Sequence, residues 1–350
     1  MKKLALLLAV IILTGCTGLG GNTTEESKIQ PTDGVGILEF RAVVTKMVSG
    51  AYNYILMSVR NNAEGSKATN IKVNLENLEP FRIYECNNEF NPGELRVYNC
   101  NQFFDDVNEP YRTHKVNSMF PDEEIQFFWN IRSPNDTIIA GMPYAHTIYY
   151  NLEYDYKTTI TQTIAGISQQ EYLERSKEGP VSLSGQTISS PGELKLESKT
   201  QQPIIYLEGS TSPLEFTLEF DLNNKGTGVI KPGSTVIVAV KRDDLTSIND
   251  VSAANLGWVN YDGVNSLSIS FNSLFPETEF EELNANARSK LYLKSISSDE
   301  LTSGKQSIML PVRFNTQNVY EPQRILTFSA YISYSYLKEG STSISVYPTE

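Results

Sequence analysis

From about residue 35 to the C-terminal end, apolar and polar residues alternate with period two, in runs rich in Tyr, Phe, Val, Ile and Thr separated by Gly, Pro and Asn. Alternation puts every second side chain on one face of a pleated strand, so the pattern predicts a mostly antiparallel all-β protein. Ile148, Tyr150, Leu152, Tyr154 and Tyr156 fall on one strand face, and Phe328, Ala330, Ile332, Tyr334 and Tyr336 on another. The two strands read as copies of each other, and further segments repeat with them. Ile55 to Asn62, followed by Gly65, matches Phe216 to Asn224, followed by Gly226. Glu124 to Ile131 occupies the place that Ser307 to Phe314 holds in the second half.

Each repeat thus runs strand, Asn-Asn turn, strand, variable insertion, strand, turn and long Tyr-rich strand. Between them, Ser168 to Arg175 offers a Ser cap and helix formers, which predicts two or three helical turns ending at Gly179-Pro180. A second helical fragment is expected over Glu279 to Lys290. The repeat order resembles the immunoglobulin-like β-sandwiches of bacterial and archaeal surface proteins, particularly the CARDB-like kind. That resemblance implies two tandem Ig-like antiparallel β-sandwiches with a short helical linker, at 35–166, 167–190 and 191–350, serving in adhesion or scaffolding. The Cys, Trp, Cys signature of antibody domains is absent, because Cys86 and Cys100 are too close in sequence to bridge two sheets.

The N-terminal end has a different pattern. Lys2 and Lys3 precede an apolar run from Leu4 to Leu13, and Leu13-Thr14-Gly15-Cys16 follows. A basic start, a short apolar core and small residues at a cleavage point predict a secretory signal over 1–15. The run is about half the length that a spanning helix needs. The segment resembles the lipobox of prokaryotic lipoproteins, which implies cleavage before Cys16, acylation of its thiol with palmitate-type chains, and an extracytoplasmic body anchored to the cell membrane. Residues 16–34 are small, polar and charged and read as a flexible tether.

Composition narrows the partners. A net charge of -12 excludes a nucleic-acid ligand, which needs clustered Lys and Arg, and leaves membrane attachment to the acyl anchor. Once Cys16 is set apart, Cys86 and Cys100 remain as an even pair flanking a turn-rich segment. In an oxidising compartment this predicts a disulfide, worth about 3 kcal/mol in the chain-entropy model. A metal site using both with His114 lacks compact ligand spacing.

Little in the chain points to catalysis. The two histidines, His114 in an expected loop beside Arg112 and His146 near the start of a Tyr-rich strand, read as surface or structural residues. No Gly-x-Ser-x-Gly, P-loop or His-Glu-x-x-His motif occurs. Asp221-Leu222-Asn223-Asn224-Lys225-Gly226 begins like a calcium loop but has Lys at position five and Pro232 at position twelve, so a β-turn is expected. Asp122-Glu123-Glu124 and Glu277, Glu279, Glu281 and Glu282 read as solvated turns or cation ligands.

Tyr149 and Tyr331 alternate with core positions and should face outward, where a Tyr can stack on sugar or anchor a protein interface. The insertions at 81–118 and 243–303 are expected recognition loops. The reading is a non-enzymatic binding, adhesion or assembly module without a cofactor, whose partner is an envelope protein or glycan. The alternatives are an envelope carbohydrate- or peptidoglycan-active hydrolase with a carboxylate pair drawn from distant strands, and a transporter's solute-binding component, which would need α/β lobes.

Overall fold

A computed structural model of the chain describes residues 34–62, 66–89, 96–103, 112–135, 142–183, 185–200, 202–260, 291–301 and 305–349, with backbone alone for 84–103. The first repeat supplies β1 (Val35–Ala42), β2 (Lys46–Val48), β3 (Tyr52–Asn61), β4 (Ala68–Glu76), β5 (Arg82–Glu89), β6 (Arg96–Phe103), β7 (Thr113–Met119), β8 (Glu124–Arg132) and β9 (Tyr144–Ser168). Helix α1 (Gln169–Ser176) and β10 (Thr187–Ser189) lead to the second repeat. It contributes β11 (Leu194–Ser198), β12 (Ile204–Tyr206), β13 (Leu214–Asn224), β14 (Val229–Ile230), β15 (Thr235–Lys241), β16 (Thr246–Ile248), α2 (Asp250–Asn255), β17 (Trp258–Asn260), β18 (Leu291–Ser297), β19 (Lys305–Phe314) and β20 (Gln323–Tyr347).

The all-β reading holds: the chain forms two Ig-like antiparallel sandwiches with a short helix between the repeats. One outer sheet is ordered β1-β3-β8-β5-β6 and the other β11-β13-β19-β16. The first four strands of each follow the A-B-E-D order of an Ig-like sandwich. All three matched sequence segments occupy equivalent strands: β3 with β13, β8 with β19, and β9 with β20.

The second sheet is common to both sandwiches. Its main path is β17-β18-β15-β20-β9-β4-β7. β9 and β20 pair antiparallel from Tyr144↔Val346 to Ile167↔Gln323, a ladder about 80 Å long at the usual rise per residue. The first half of β9 is the F strand of the first sandwich, and its second half stands where the second sandwich needs its G strand. β20 does the reverse. Each sandwich is therefore closed by a strand from the other repeat. The short strands obey the same exchange: β2 pairs parallel with the end of β20, and β12 parallel with the end of β9.

Alternation explains the core. The predicted faces Ile148, Leu152, Tyr154 and Tyr156, and Phe328, Ile332, Tyr334 and Tyr336, are all buried. They join Trp129, Phe127 and Met57 of one outer sheet and Leu218, Phe220 and Leu310 of the other in one continuous cluster. At α1 the Ser168 hydroxyl accepts from the Glu171 N–H at 3.3 Å, which caps the helix as expected. A Glu171–Arg175 pair spans one turn at 2.6 Å, and the helix stops at Ser176. The chain then lies back along the shared sheet, where β10 pairs with β9. The helix expected at 279–290 lies outside the described residues.

Candidate functional site

The ladder crosses its own pseudo-twofold point near Asp155↔Ser335, with Tyr154 opposite Tyr336 and Tyr156 opposite Tyr334. The four rings pack at centroid distances of 5.8 to 6.3 Å. Buried hydroxyls need partners, and both repeats supply one from the Asn-Asn segment. Tyr156 Oη donates to Asn61 Oδ1 at 3.4 Å, and Tyr336 Oη to Asn224 Oδ1 at 2.9 Å. The amide of Asn61 holds the carbonyl of Ser66, and that of Asn224 holds the carbonyl of Gly228.

A second set of contacts at this centre has no twin. Glu193, fully buried just before β11, accepts from Tyr154 Oη at 2.5 Å, Tyr334 Oη at 2.9 Å, and the N–H groups of Gly34 and Val35 at 2.9 and 3.2 Å. Lys338, also buried, donates to the Val35 carbonyl at 2.6 Å and lies 3.8 Å from Glu193. Desolvation, then the neighbouring Glu193 charge, raises the phenol pKa of Tyr154 and Tyr334 well above 10.0. Both stay protonated donors. Gly34 belongs here because a Cβ would stand 2.6 Å from the Tyr156 ring. The last tether position of the sequence reading is thus packed into the core. The centre is sealed and holds one carboxylate, so it serves the fold, joining both repeats to the point where the chain enters.

The singled-out residues are dispersed. His114 belongs to β7 rather than to a loop and points into the core, 4.7 Å from the Trp129 ring, with Nε2 donating to the Phe128 carbonyl at 3.3 Å. Burial pushes its pKa down to about 4 against that hydrogen bond, so the ring is neutral. His146 is buried too. Its Nε2 donates to the Asn77 carbonyl and its Nδ1 accepts from Tyr144 Oη at 2.8 Å, which fixes the tautomer. Asp221 to Asn224 are the end of β13 and not a turn. Hydrogen bonds and charge from Lys305 at 2.8 Å and Lys199 at 3.3 Å hold the Asp221 carboxyl below its usual range.

Asp122, Glu123 and Glu124 turn to separate partners, Arg60, the Phe120 N–H and Ser58. No group of three metal-ligating side chains occurs among the described residues. Glu277, Glu279, Glu281, Glu282 and Cys16 lie outside the described residues, as do parts of both insertions. The backbone register of β5 and β6 sets Cys86 opposite Cys100.

The outer face of the shared sheet carries the two tyrosines that alternate with core positions. Tyr149 is 47% exposed on it, and Tyr331 stands half-buried with the Lys157 ammonium 5.3 Å from its ring centre. Both face outward as the alternation requires. Two clefts open at the periphery. One, of about 440 Å³, follows α1 and carries the exposed Leu173 and Leu207 with the exposed Glu174 and Glu208. The other, of about 360 Å³, lies over β4 and the start of β7 and is lined by Lys72, Asn74, Glu76, Asn77, Arg112 and Thr113, with Leu75 at its base. Sequence reasoning missed this second cleft. Its signal was the outward row Lys72, Asn74, Glu76, which alternates with the core residues Ile71, Val73 and Leu75.

No family model and no curated protein matches the chain. Among solved structures, the collagen adhesin of S. aureus aligns at 9% identity over 91% of this chain and 94% of its own, with a TM-score of 0.18. The Enterococcus faecalis MSCRAMM ACE aligns at 10% identity over 93% of this chain and 98% of its own, with a TM-score of 0.17. A red sea bream transglutaminase aligns at 9% over 90% of this chain but 31% of its own, with a TM-score of 0.17. Superpositions this poor carry no argument about fold or activity.

Proposed function

We propose that the chain is a lipid-anchored, extracytoplasmic binding or adhesion component of a prokaryotic cell envelope that acts without catalysis. The observation that carries this reading is the outer face of the shared sheet. It is open and rigidly held by the β9–β20 ladder, and it presents Tyr149 and Tyr331 among hydrogen-bonding side chains. Among the described residues the one fully buried glutamate, Glu193, is occupied by hydrogen bonds from tyrosines and backbone. Acylation at Cys16 tethers this body to the membrane. A disulfide between Cys86 and Cys100, favoured by their opposed positions, stiffens the β5–β6 hairpin.

Expression of Cys16→Ser in the native host tests the anchor: the variant should appear in the medium, and retention in the membrane fraction would overturn it. The binding reading is tested with the immobilised full-length protein and an envelope extract. Retention of an intact envelope protein or glycan is expected, whereas release of shortened glycan fragments would favour the hydrolase.

A further inference from the structure

We infer that the cleft over β4 and β7 is a saccharide-binding subsite for an acidic sugar, with Tyr149 as its stacking platform; this deepens the binding reading above and rests on it. The cleft's volume of about 360 Å³ falls in the small-ligand range. Five of its seven lining residues, Asn74, Glu76, Asn77, Arg112 and Thr113, carry planar or hydroxylic hydrogen-bonding groups, which suit vicinal sugar hydroxyls because each of those both donates and accepts. Several of these groups are held in place from behind. Thr113 Oγ1 donates to Asn74 Oδ1 at 2.9 Å, Asn151 Nδ2 to Glu76 Oε1 at 2.5 Å, and Asn77 Nδ2 to the Thr147 carbonyl at 2.7 Å. Asn74 Nδ2, Glu76 Oε2 and Asn77 Oδ1 keep unused capacity, so the cleft is oriented in advance and incompletely satisfied.

Two further observations select the ligand. Arg112 lines the cleft, and its buried Nε is not committed to any protein acceptor. With Lys72 beside it and Glu76 the single carboxylate of the lining, the local excess is positive on a chain of net charge -12. A carboxylated sugar complements that excess through a charge-assisted bond. Tyr149 is the cross-strand partner of Glu76, so its exposed ring rises from the same face on the next strand. Two strand spacings, about 10 Å, separate Arg112 on the β7 side from Tyr149 on β9. That span suits a chain of sugars whose ring rests on Tyr149 while its carboxylate reaches Arg112.

The test uses the full-length chain in detergent on a printed array of oligosaccharides, some ending in uronic or sialic acid and some neutral, with a triple-helical peptide as a control probe. Acidic oligosaccharides should be retained, with binding that weakens as salt rises. Arg112→Gln and Tyr149→Ala should each weaken it about tenfold, and Tyr149→Phe should restore it because the ring remains. Unchanged thermal midpoints would show that the variants stay folded. Equal retention of neutral and acidic sugars, or indifference to both substitutions, would overturn the subsite. Retention of the peptide alone would overturn it while leaving the binding reading standing, and no retention of any probe would overturn the subsite without touching the extract experiment.

Discussion

The two repeats build the same sandwich with the same strand order, yet they differ at the centre where they meet. Each has its Asn–Tyr clasp, Asn61 with Tyr156 and Asn224 with Tyr336. Position for position along the outer strands, however, Gly34 before β1 corresponds to Glu193 before β11, and Thr158 on β9 to Lys338 on β20. The shared features close each sandwich. The unshared pair, Glu193 and Lys338, belongs to the second repeat but holds the backbone of the first at Gly34 and Val35. Symmetry therefore makes the fold, and its breaking fixes where the chain enters it.

The largest effect should come from breaking that asymmetric pair. Glu193→Ala leaves the Lys338 ammonium buried without the Glu193 charge and strands the Tyr154 hydroxyl, while Tyr334 keeps Thr158, and should cost about 3–5 kcal/mol in urea unfolding. The double variant Glu193→Met/Lys338→Met should recover much of the loss, because both charges leave together. A double variant as unstable as the single one would refute the pairing.

Mild acid should act through His114 in the first repeat, before the Asp221 carboxyl of the second repeat, held low by Lys305 and Lys199, takes up a proton. The folded His114 pKa of about 4 lies below the 6.5 of the unfolded chain, so protons favour unfolding. Stability is complete above about pH 6.5 and falls as pH drops toward 4, by about 2 kcal/mol at pH 5. His114→Phe should flatten this dependence in a pH series of unfolding midpoints.

Smallest are the hydroxyl deletions. Tyr334→Phe removes a group that accepts from the Glu193 N–H at 2.8 Å and donates to its carboxylate, and should cost about 2 kcal/mol. Tyr156→Phe and Tyr336→Phe each remove one clasp bond and should cost about 1 kcal/mol, the second more than the first because its bond is shorter. Equal losses at all three positions would remove the distinction between centre and clasp.

Much of the architecture was legible from side-chain alternation. One-sided burial leaves a period-two trace, so the faces of β9 and β20 and the equivalence of β3 with β13 could be read directly. The exchange of strands could not, because the segment up to Gly166 reads as the end of the first sandwich, while in fact β9 continues through it into the other. Glu193 was hidden in Pro191-Gly192-Glu193, which resembles a solvated turn. One signal did point to it. Lys338 falls on the same alternate as Tyr334 and Tyr336, and a lysine on a buried face calls for a buried carboxylate. His114 was likewise readable, since it alternates with Val116 on the apolar face of β7. The cleft over β4 needed the fold, because it joins β4 to the start of β7, about 40 residues further along the chain.

The central claim is that the shared ladder makes the two sandwiches one cooperative unit. Each repeat carries one of the chain's two tryptophans, Trp129 in the first and Trp258 in the second. In the variants Trp258→Phe and Trp129→Phe, the fluorescence of the remaining tryptophan and the far-ultraviolet dichroism should follow one common denaturant transition. A tryptophan transition clearly separated from the dichroism, with each repeat melting at its own midpoint, would contradict the account.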